Sequence, residues 1–101
     1  MGIQVYEDTN TGNAVITLGQ NFDSRSRKEF SAAYSQFEPY RNFLLDFEPV
    51  EKVDSSSFGM LLRMREYAKG LDSTITISGC DENIASTLEL PILEGLFELK
   101  N

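Results

Sequence analysis

The sequence predicts a mixed α/β fold, in which helices pack on a mixed sheet of four or five strands. Segments with the two-residue period of strands alternate along the chain with segments of helical period. Two strand-like segments open the chain and are joined by a polar loop, which indicates an antiparallel hairpin. Helices separate the later strands, which favours parallel neighbours and right-handed crossovers. The predicted order of elements is therefore β-β-α-β-α-β-α-β.

The predicted strands are recognised by alternating or continuous apolar residues. The segment 42–47 is a nearly continuous apolar run, as is typical of a central strand covered on both faces. The segment 48–53 is predicted to be a connection, with Val50 and Val53 turned inward. The last strand is expected at an edge of the sheet. The predicted strands are Ile3–Tyr6, Ala14–Leu18, Asn42–Phe47, Ser73–Ser78 and Leu96–Leu99.

Three helices are predicted from apolar residues spaced three or four apart and from polar capping residues. The first ends at Pro39, because proline interrupts the helical hydrogen-bond pattern. The second runs from about Ser56 to Lys69, and the third buries Ile84 and Leu88. The first helix has an apolar face made of Phe30, Ala33, Tyr34 and Phe37. The N-cap candidates are Asp23, Asp54 and Asp81.

Composition limits the possible functions. The chain has 101 residues, which suits a single domain over 1–101. Its 16 acidic and 9 basic residues give a net charge of −7, which argues against nucleic acid or an anionic membrane as partner. The absence of histidine excludes catalysis by histidine and metal sites with histidine ligands. We predict neither a cofactor nor a metal site.

The single cysteine, Cys80, cannot form an internal disulfide, so a reducing compartment is the natural environment. We expect it to be buried or half-buried beside a strand. No apolar run approaches the roughly 20 residues of a membrane span. The N-terminus lacks the basic flank and apolar core of a signal peptide. A cytoplasmic protein with no membrane insertion is therefore expected.

The stretch Val53–Gly59 is the most informative part of the sequence. It contains an aspartate, three consecutive serines and a glycine immediately before the second helix. Free N–H groups and a partial positive charge at a helix N-terminus tolerate phosphate well, so a serine at this position is a candidate phosphate acceptor. Simple capping of the helix is the alternative interpretation, and it remains open.

With its flanks, this stretch resembles the signature of the STAS domain family, and in particular of the bacterial anti-sigma factor antagonists. The resemblance begins with Asp46 in an apolar strand, continues through Asp54-Ser55-Ser56, and includes Gly59 before an amphipathic helix. Residues 75–79, 84–88 and 95–97 match the later part of the family pattern. The resemblance covers nearly the whole chain and implies the same order of elements.

The resemblance implies that Ser56 is phosphorylated by a partner anti-sigma factor that is itself a serine kinase. A PP2C-type phosphatase would reverse the modification. The partner-binding residues implied in this way are Asp23, Asp54, Ser55, Ser57 and Phe58. Two residues depart from the family pattern, since Ser57 replaces a preferred glycine and Phe58 a preferred leucine. Ser57, or Ser55, is therefore an alternative acceptor.

The favoured function is a non-enzymatic, bacterial signalling module that antagonises an anti-sigma factor and so regulates transcription. One alternative is a STAS subunit of a transporter-associated or stress-signalling assembly. A second is an enzyme in which Asp23, Asp46 and Asp54 bind a divalent metal. The lack of histidine, and of a lysine clearly placed against these carboxylates, argues against the enzyme.

Overall fold

The computed structural model describes residues 2–68, 73–88 and 96–100. Its strands are β1 (Gln4–Glu7), β2 (Ala14–Thr17), β3 (Asn21–Phe22), β4 (Phe43–Asp46), β5 (Lys52–Val53), β6 (Ile75–Ser78) and β7 (Glu98–Lys100). Its helices are α1 (Arg27–Ser35), α2 (Ser55–Tyr67) and α3 (Glu82–Thr87), and a 3-10 turn over Ser24–Ser26 precedes α1. The predicted helix end at Lys69 lies outside the described residues.

The main sheet has five strands in the order β1-β2-β4-β6-β7. The hairpin of β1 and β2 is antiparallel, and all other neighbours in this sheet are parallel. The register pairs Leu45 of the central strand β4 with Ile16 on one side and with Ile77 on the other. The mixed α/β fold predicted from the sequence is confirmed, including the hairpin and the parallel strands that follow it.

The core lies on one face of this sheet, between the strands and the helices. Phe43 and Leu45 of β4 are buried there, together with Phe30 of α1 and Leu61 of α2. The opposite face of β4 presents Leu44 and Asp46, which are only half-buried. The prediction that this strand is covered on both faces therefore holds only in part for the second face, where an apolar residue alternates with a carboxylate.

A second small sheet was not predicted. Strand β3 pairs in parallel with β5, so that Asn21 lies opposite Lys52 and Phe22 lies opposite Val53. The segment 48–53 is thus more than a connection. Val50 in it is buried as expected, whereas Val53 is half-buried. This sheet holds the start of the first helical segment beside the start of α2.

Cys80 follows β6 and is half-buried, as expected from the sequence. Burial, together with the negative charge of the adjacent Asp81, raises the pKa of the Cys80 thiol to about 11. The thiolate is the reactive form of cysteine, so this thiol is largely unreactive at neutral pH. Its place in the structure is that of a packing residue at the end of a strand.

Gly79, next to Cys80, is the glycine whose replacement we expect to cost most. Its φ is +75°, and an added Cβ would lie 2.9 Å from the backbone nitrogen of Glu48 and 3.3 Å from Asp46 Oδ1. A side chain is strained in this left-handed backbone conformation, and its Cβ would be too close to the backbone of Glu48. We therefore expect the free energy of unfolding of Gly79→Ala to be about 2 kcal/mol lower than that of wild type. Urea unfolding followed by circular dichroism measures the change.

Two other glycines provide matched controls for this prediction. Gly12 has a φ of +78°, but nothing lies within 4 Å of an added Cβ, so Gly12→Ala should cost about 1 kcal/mol from strain alone. Gly59 is helical with similar open space, and Gly59→Ala should stabilise the protein by up to about 1 kcal/mol. Equal urea midpoints of unfolding for Gly79→Ala and Gly12→Ala would contradict the close contact between an added Cβ at Gly79 and the backbone of Glu48.

Candidate functional site

Two helical segments begin side by side at the small sheet. The register that pairs Phe22 with Val53 brings the next residue of each chain segment, Asp23 and Asp54, to neighbouring positions. Both aspartates have extended backbones and act as N-caps, Asp23 for the 3-10 turn and Asp54 for α2. The sequence predicted each cap, and the structure adds that the two turns are adjacent.

Each turn is closed by a capping box of the form Asp-x-x-Ser. In the turn before α2, the backbone N–H of Ser56 donates to Asp54 Oδ1 (3.0 Å), and that of Asp54 donates to Ser57 Oγ (3.1 Å). In the other turn, the backbone N–H of Arg25 donates to Asp23 Oδ1 (3.0 Å). These bonds satisfy N–H groups that have no partner within the helix, which explains why both helical segments start at these residues.

Ser56 occupies the second position of α2, and its side chain is half-buried, hence partly accessible to solvent. Its hydroxyl donates to Asp54 Oδ1 at 2.5 Å. The hydroxyl proton is therefore directed towards the capping carboxylate, which leaves the lone pairs of the oxygen for other contacts. A phosphoryl group accepted at this position would lie at the N-terminus of α2, where the helix dipole favours a negative charge.

Ser57 lies in the interior of the protein. It is 0% exposed, and its hydroxyl donates to the backbone carbonyl of Phe22 at 2.5 Å. The same oxygen accepts the N–H of Asp54, so both hydrogen-bonding capacities serve the fold. The sequence interpretation placed Ser57 on the partner-facing surface, and the structure instead places it under β3, because its hydroxyl links the two turns.

The other predicted site residues surround this point. Ser55 is exposed, and Asp54 is exposed beside it. Phe58 is half-buried and packs against the core, so only part of its ring reaches the surface. Among the predicted contacts of the α2 turn, Asp54 and Ser55 are therefore exposed, and Ser56 and Phe58 are half-buried.

Arg25 is a neighbour that the sequence interpretation missed. Its guanidinium pairs with Asp23 through two bonds, Nη2 to Oδ2 at 2.8 Å and Nε to Oδ1 at 3.2 Å. The hydrogen bond from Arg25 lowers the pKa of Asp23, and the pair raises the pKa of Arg25, to which the charge of Asp54 also contributes. A positive charge therefore lies within electrostatic reach of the α2 turn. The sequence feature that could have indicated this ion pair is an arginine two residues after the capping aspartate.

The three carboxylates considered for a metal site serve their own turns. Asp23 and Asp54 are caps, and Asp46 Oδ1 accepts the backbone N–H of Glu48 at 2.9 Å. Within residues 2–68, 73–88 and 96–100, no group of three or more His, Cys, Asp or Glu side chains is arranged to hold a metal ion. Over the same ranges, no helix has the length and apolar character needed to cross a membrane.

Comparison with known proteins agrees with this architecture. A STAS family model described as "Mlab, STAS domain" matches residues 6–98. A STAS-domain-containing protein of Pseudomonas aeruginosa strain UCBPP-PA14 is 26% identical over 100 residues, covering 98% of this chain and 99% of that protein.

Two solved structures share the fold at lower identity. An anti-sigma-factor antagonist (STAS) domain protein from Planctomyces limnophilus has a TM-score of 0.80 at 20% identity, over 98% of this chain and 89% of that one. The anti-sigma factor antagonist SpoIIAA in its unphosphorylated form has a TM-score of 0.73 at 16% identity, over 99% of this chain and 88% of that one. With the family model matching most of its length, the chain belongs to the STAS domain family.

Proposed function

We propose that this protein is a non-enzymatic regulatory binding module whose contact surface is the turn at the start of α2, and that phosphorylation of Ser56 switches its binding. The observation that carries the proposal is the different placement of the neighbouring serines. Ser56 is partly accessible at the helix N-terminus, whereas Ser57 is buried and fully hydrogen-bonded. The Ser56 hydroxyl is thus at the surface with the capping carboxylate as its only partner among the described residues, whereas the Ser57 hydroxyl is buried and bonds to the backbone.

The proposed partners are an anti-sigma factor with serine kinase activity and a PP2C-type phosphatase. In this scheme, the unphosphorylated protein binds the kinase, and the phosphorylated protein is released from it. Similarity to SpoIIAA, an antagonist known in an unphosphorylated form, supports this choice of pathway. The acidic net charge of −7 favours a protein partner over nucleic acid, and a cytoplasmic location is part of this proposal.

The electrostatics of the α2 turn suit a phosphoserine. The helix dipole stabilises a negative charge at Ser56, because the N-terminus of a helix carries a partial positive charge. Arg25 lies in the adjacent turn with a side chain that is 78% exposed, so its guanidinium is able to approach a phosphate there. Asp54 opposes this attraction with its own negative charge. The phosphorylated domain should accordingly remain folded while its contact surface becomes more acidic.

A second candidate function is supported by the family model, whose description names Mlab. Under this alternative, the chain is a STAS subunit of a transporter-associated assembly. Its partner would then be an ABC-type ATPase. The two candidates differ in the protein that co-purifies with the chain at stoichiometric amounts, a serine kinase in one case and a transporter ATPase in the other.

Phosphosite mapping tests the proposal directly. The purified protein is incubated with ATP and an extract of the cells that produce it, and the modified residue is located by tandem mass spectrometry. We expect phosphate on Ser56, loss of labelling in Ser56→Ala, and labelling still present on Ser56 in the control Ser55→Ala. Label that persists in Ser56→Ala, or that appears on Ser57, would show that the acceptor was assigned to the wrong serine.

A further inference from the structure

A groove between α1 and α2 forms a second surface feature, separate from the Ser56 turn. It has a volume of about 390 Å³ and is partly open to solvent. Its floor is apolar and contains Phe30, Tyr34 and Met60, each no more than 7% exposed. Ser31 and Ala32 are small, and this leaves the groove open on the α1 side.

The side chains around this floor are positively charged. Arg27 and Lys28 approach from α1 and Arg63 from α2, and all three residues are exposed. Three of the 9 basic residues of the chain thus line one groove in a protein whose net charge is −7. The described residues that line it include no acidic side chain. None of the three cations forms a salt bridge with a described residue.

We propose that this groove docks a segment of a partner protein in which acidic side chains flank an apolar anchor residue. The anchor would lie on Phe30, Tyr34 and Met60, and the carboxylates would pair with the cations around it. Aromatic residues, methionine and arginine are enriched at protein–protein interfaces. An open groove encloses too little of a small ligand to hold it, because small-molecule sites usually bury most of the ligand surface.

Charge complementarity decides which partner chemistry fits. The protein as a whole repels acidic molecules, but that repulsion is screened beyond about 8 Å at physiological ionic strength. Close to the groove the three cations dominate, since the described residues of its lining carry no opposing carboxylate. Nucleic acid would need a basic surface much larger than this one.

The groove is on the same face of α2 as Ser56. Residues four and seven positions further along the helix, Met60 and Arg63, lie above Ser56 on that face. The distance along the helix axis from Ser56 to Arg63 is about 10 Å. Charge at Ser56 is therefore largely screened from Arg63, and we expect docking at this end of the groove to depend little on the phosphorylation switch.

NMR titration of the full chain with a synthetic peptide tests the proposal. The probe is the peptide EELFEEL with blocked termini, added to ¹⁵N-labelled protein at up to about 1 mM. We expect saturable shifts of backbone signals around residues 27–34 and 60–63, and weaker binding as salt rises. Two control peptides, KKLFKKL and EESSEES, carry the wrong charge and no apolar anchor respectively, and each should bind at least tenfold more weakly.

Variants of the protein test separately the contribution of the cations and the contribution of the apolar floor. Arg63→Glu and Lys28→Glu should each weaken binding about three- to tenfold, because each replaces an attractive charge with a repulsive one. Lys100→Glu makes the same charge change on the exposed strand β7 and should change the affinity less than twofold. Ala32→Trp keeps every charge but fills the groove, and it should weaken binding at least fivefold. Ser56→Asp should bind the peptide within about twofold of wild type.

Several outcomes would overturn the proposal. Shifts outside the groove, no shifts at 1 mM, or equal binding of EELFEEL and EESSEES would each contradict it. Stronger binding of octanoate than of the peptide at the same signals would identify a small-ligand site instead. If sedimentation shows that the wild-type chain dimerises and that Ala32→Trp does not, the groove would instead bind a second copy of the chain. Because Ser56→Asp is tested in the same titration, failure of this proposal leaves the Ser56 switch untouched.

Discussion

Ser56→Asp should bind the kinase partner about a hundredfold more weakly than wild type, and Ser56→Ala should bind it constitutively. Two like charges about 5 Å apart at an effective dielectric of about 20 repel by roughly 3 kcal/mol, which corresponds to that factor. Removing the charge from water at a closed interface adds to the cost. Calorimetry with the partner that co-purifies with the protein measures the effect.

The fold should survive this substitution. An acidic side chain in the first turn of a helix interacts favourably with the helix dipole, and Ser56 takes no part in the buried bond network. Both Ser56 variants should therefore melt within a few degrees of wild type. Raising the salt concentration should reduce the binding defect of Ser56→Asp, if the interface remains partly hydrated.

A matched control is available one residue earlier. Ser55→Asp adds the same charge to the same helix start, at an exposed position rotated by about 100° around the helix. We expect its binding defect to be less than tenfold. Wild-type affinity in Ser56→Asp, or a loss of binding that accompanies unfolding, would refute the charge switch.

The features that the sequence predicted are those set by local periodicity and by capping chemistry. The central strand at 43–46 and the helix α2 follow from apolar spacing over four or more residues. The cap at Asp54 follows from the preference of aspartate for that position. These signals depend on neighbouring residues in the chain, so they can be recognised without knowledge of the tertiary structure.

The small sheet could not be predicted in the same way. Strands β3 and β5 have two residues each, which is too short for a period to be recognised. Their pairing depends on contacts between segments about thirty residues apart, Asn21–Phe22 and Lys52–Val53. The arrangement of the candidate site, in which Asp23 and Arg25 lie beside the α2 turn, depends on that sheet.

The burial of Ser57 also depends on a contact between distant parts of the chain, so it could not be predicted from the sequence. The sequence contains three adjacent serines and gives no indication that one of them is buried. The partner that distinguishes Ser57 is the carbonyl of Phe22, which is 35 residues away in the chain. The departure from the glycine preferred in the family thus has a structural explanation, because the serine hydroxyl bonds to a carbonyl of β3.

Ser57→Ala should lower the free energy of unfolding by about 3 kcal/mol. The substitution removes the reciprocal bond of the capping box, worth about 1 kcal/mol, and leaves the carbonyl of the buried Phe22 without this donor, at a cost of about 1–3 kcal/mol. For a domain of this size, the melting temperature should fall by roughly 15 °C. Ser57→Gly, which introduces the residue preferred in the family, should lose the same bonds and be at least as unstable.

The neighbouring turn supplies the control for this last prediction. Ser26 holds the equivalent position in the Asp23 capping box, but its bonds are longer, 3.5 Å from the Asp23 N–H and 3.0 Å to the Asn21 carbonyl. Ser26 is also only half-buried, so water can replace the bonds that Ser26→Ala removes. That variant should lose about 1 kcal/mol or less, as measured by differential scanning calorimetry. Equal losses in the Ser26 and Ser57 variants would mean that burial under β3 adds nothing, and that Ser57 is an ordinary capping residue.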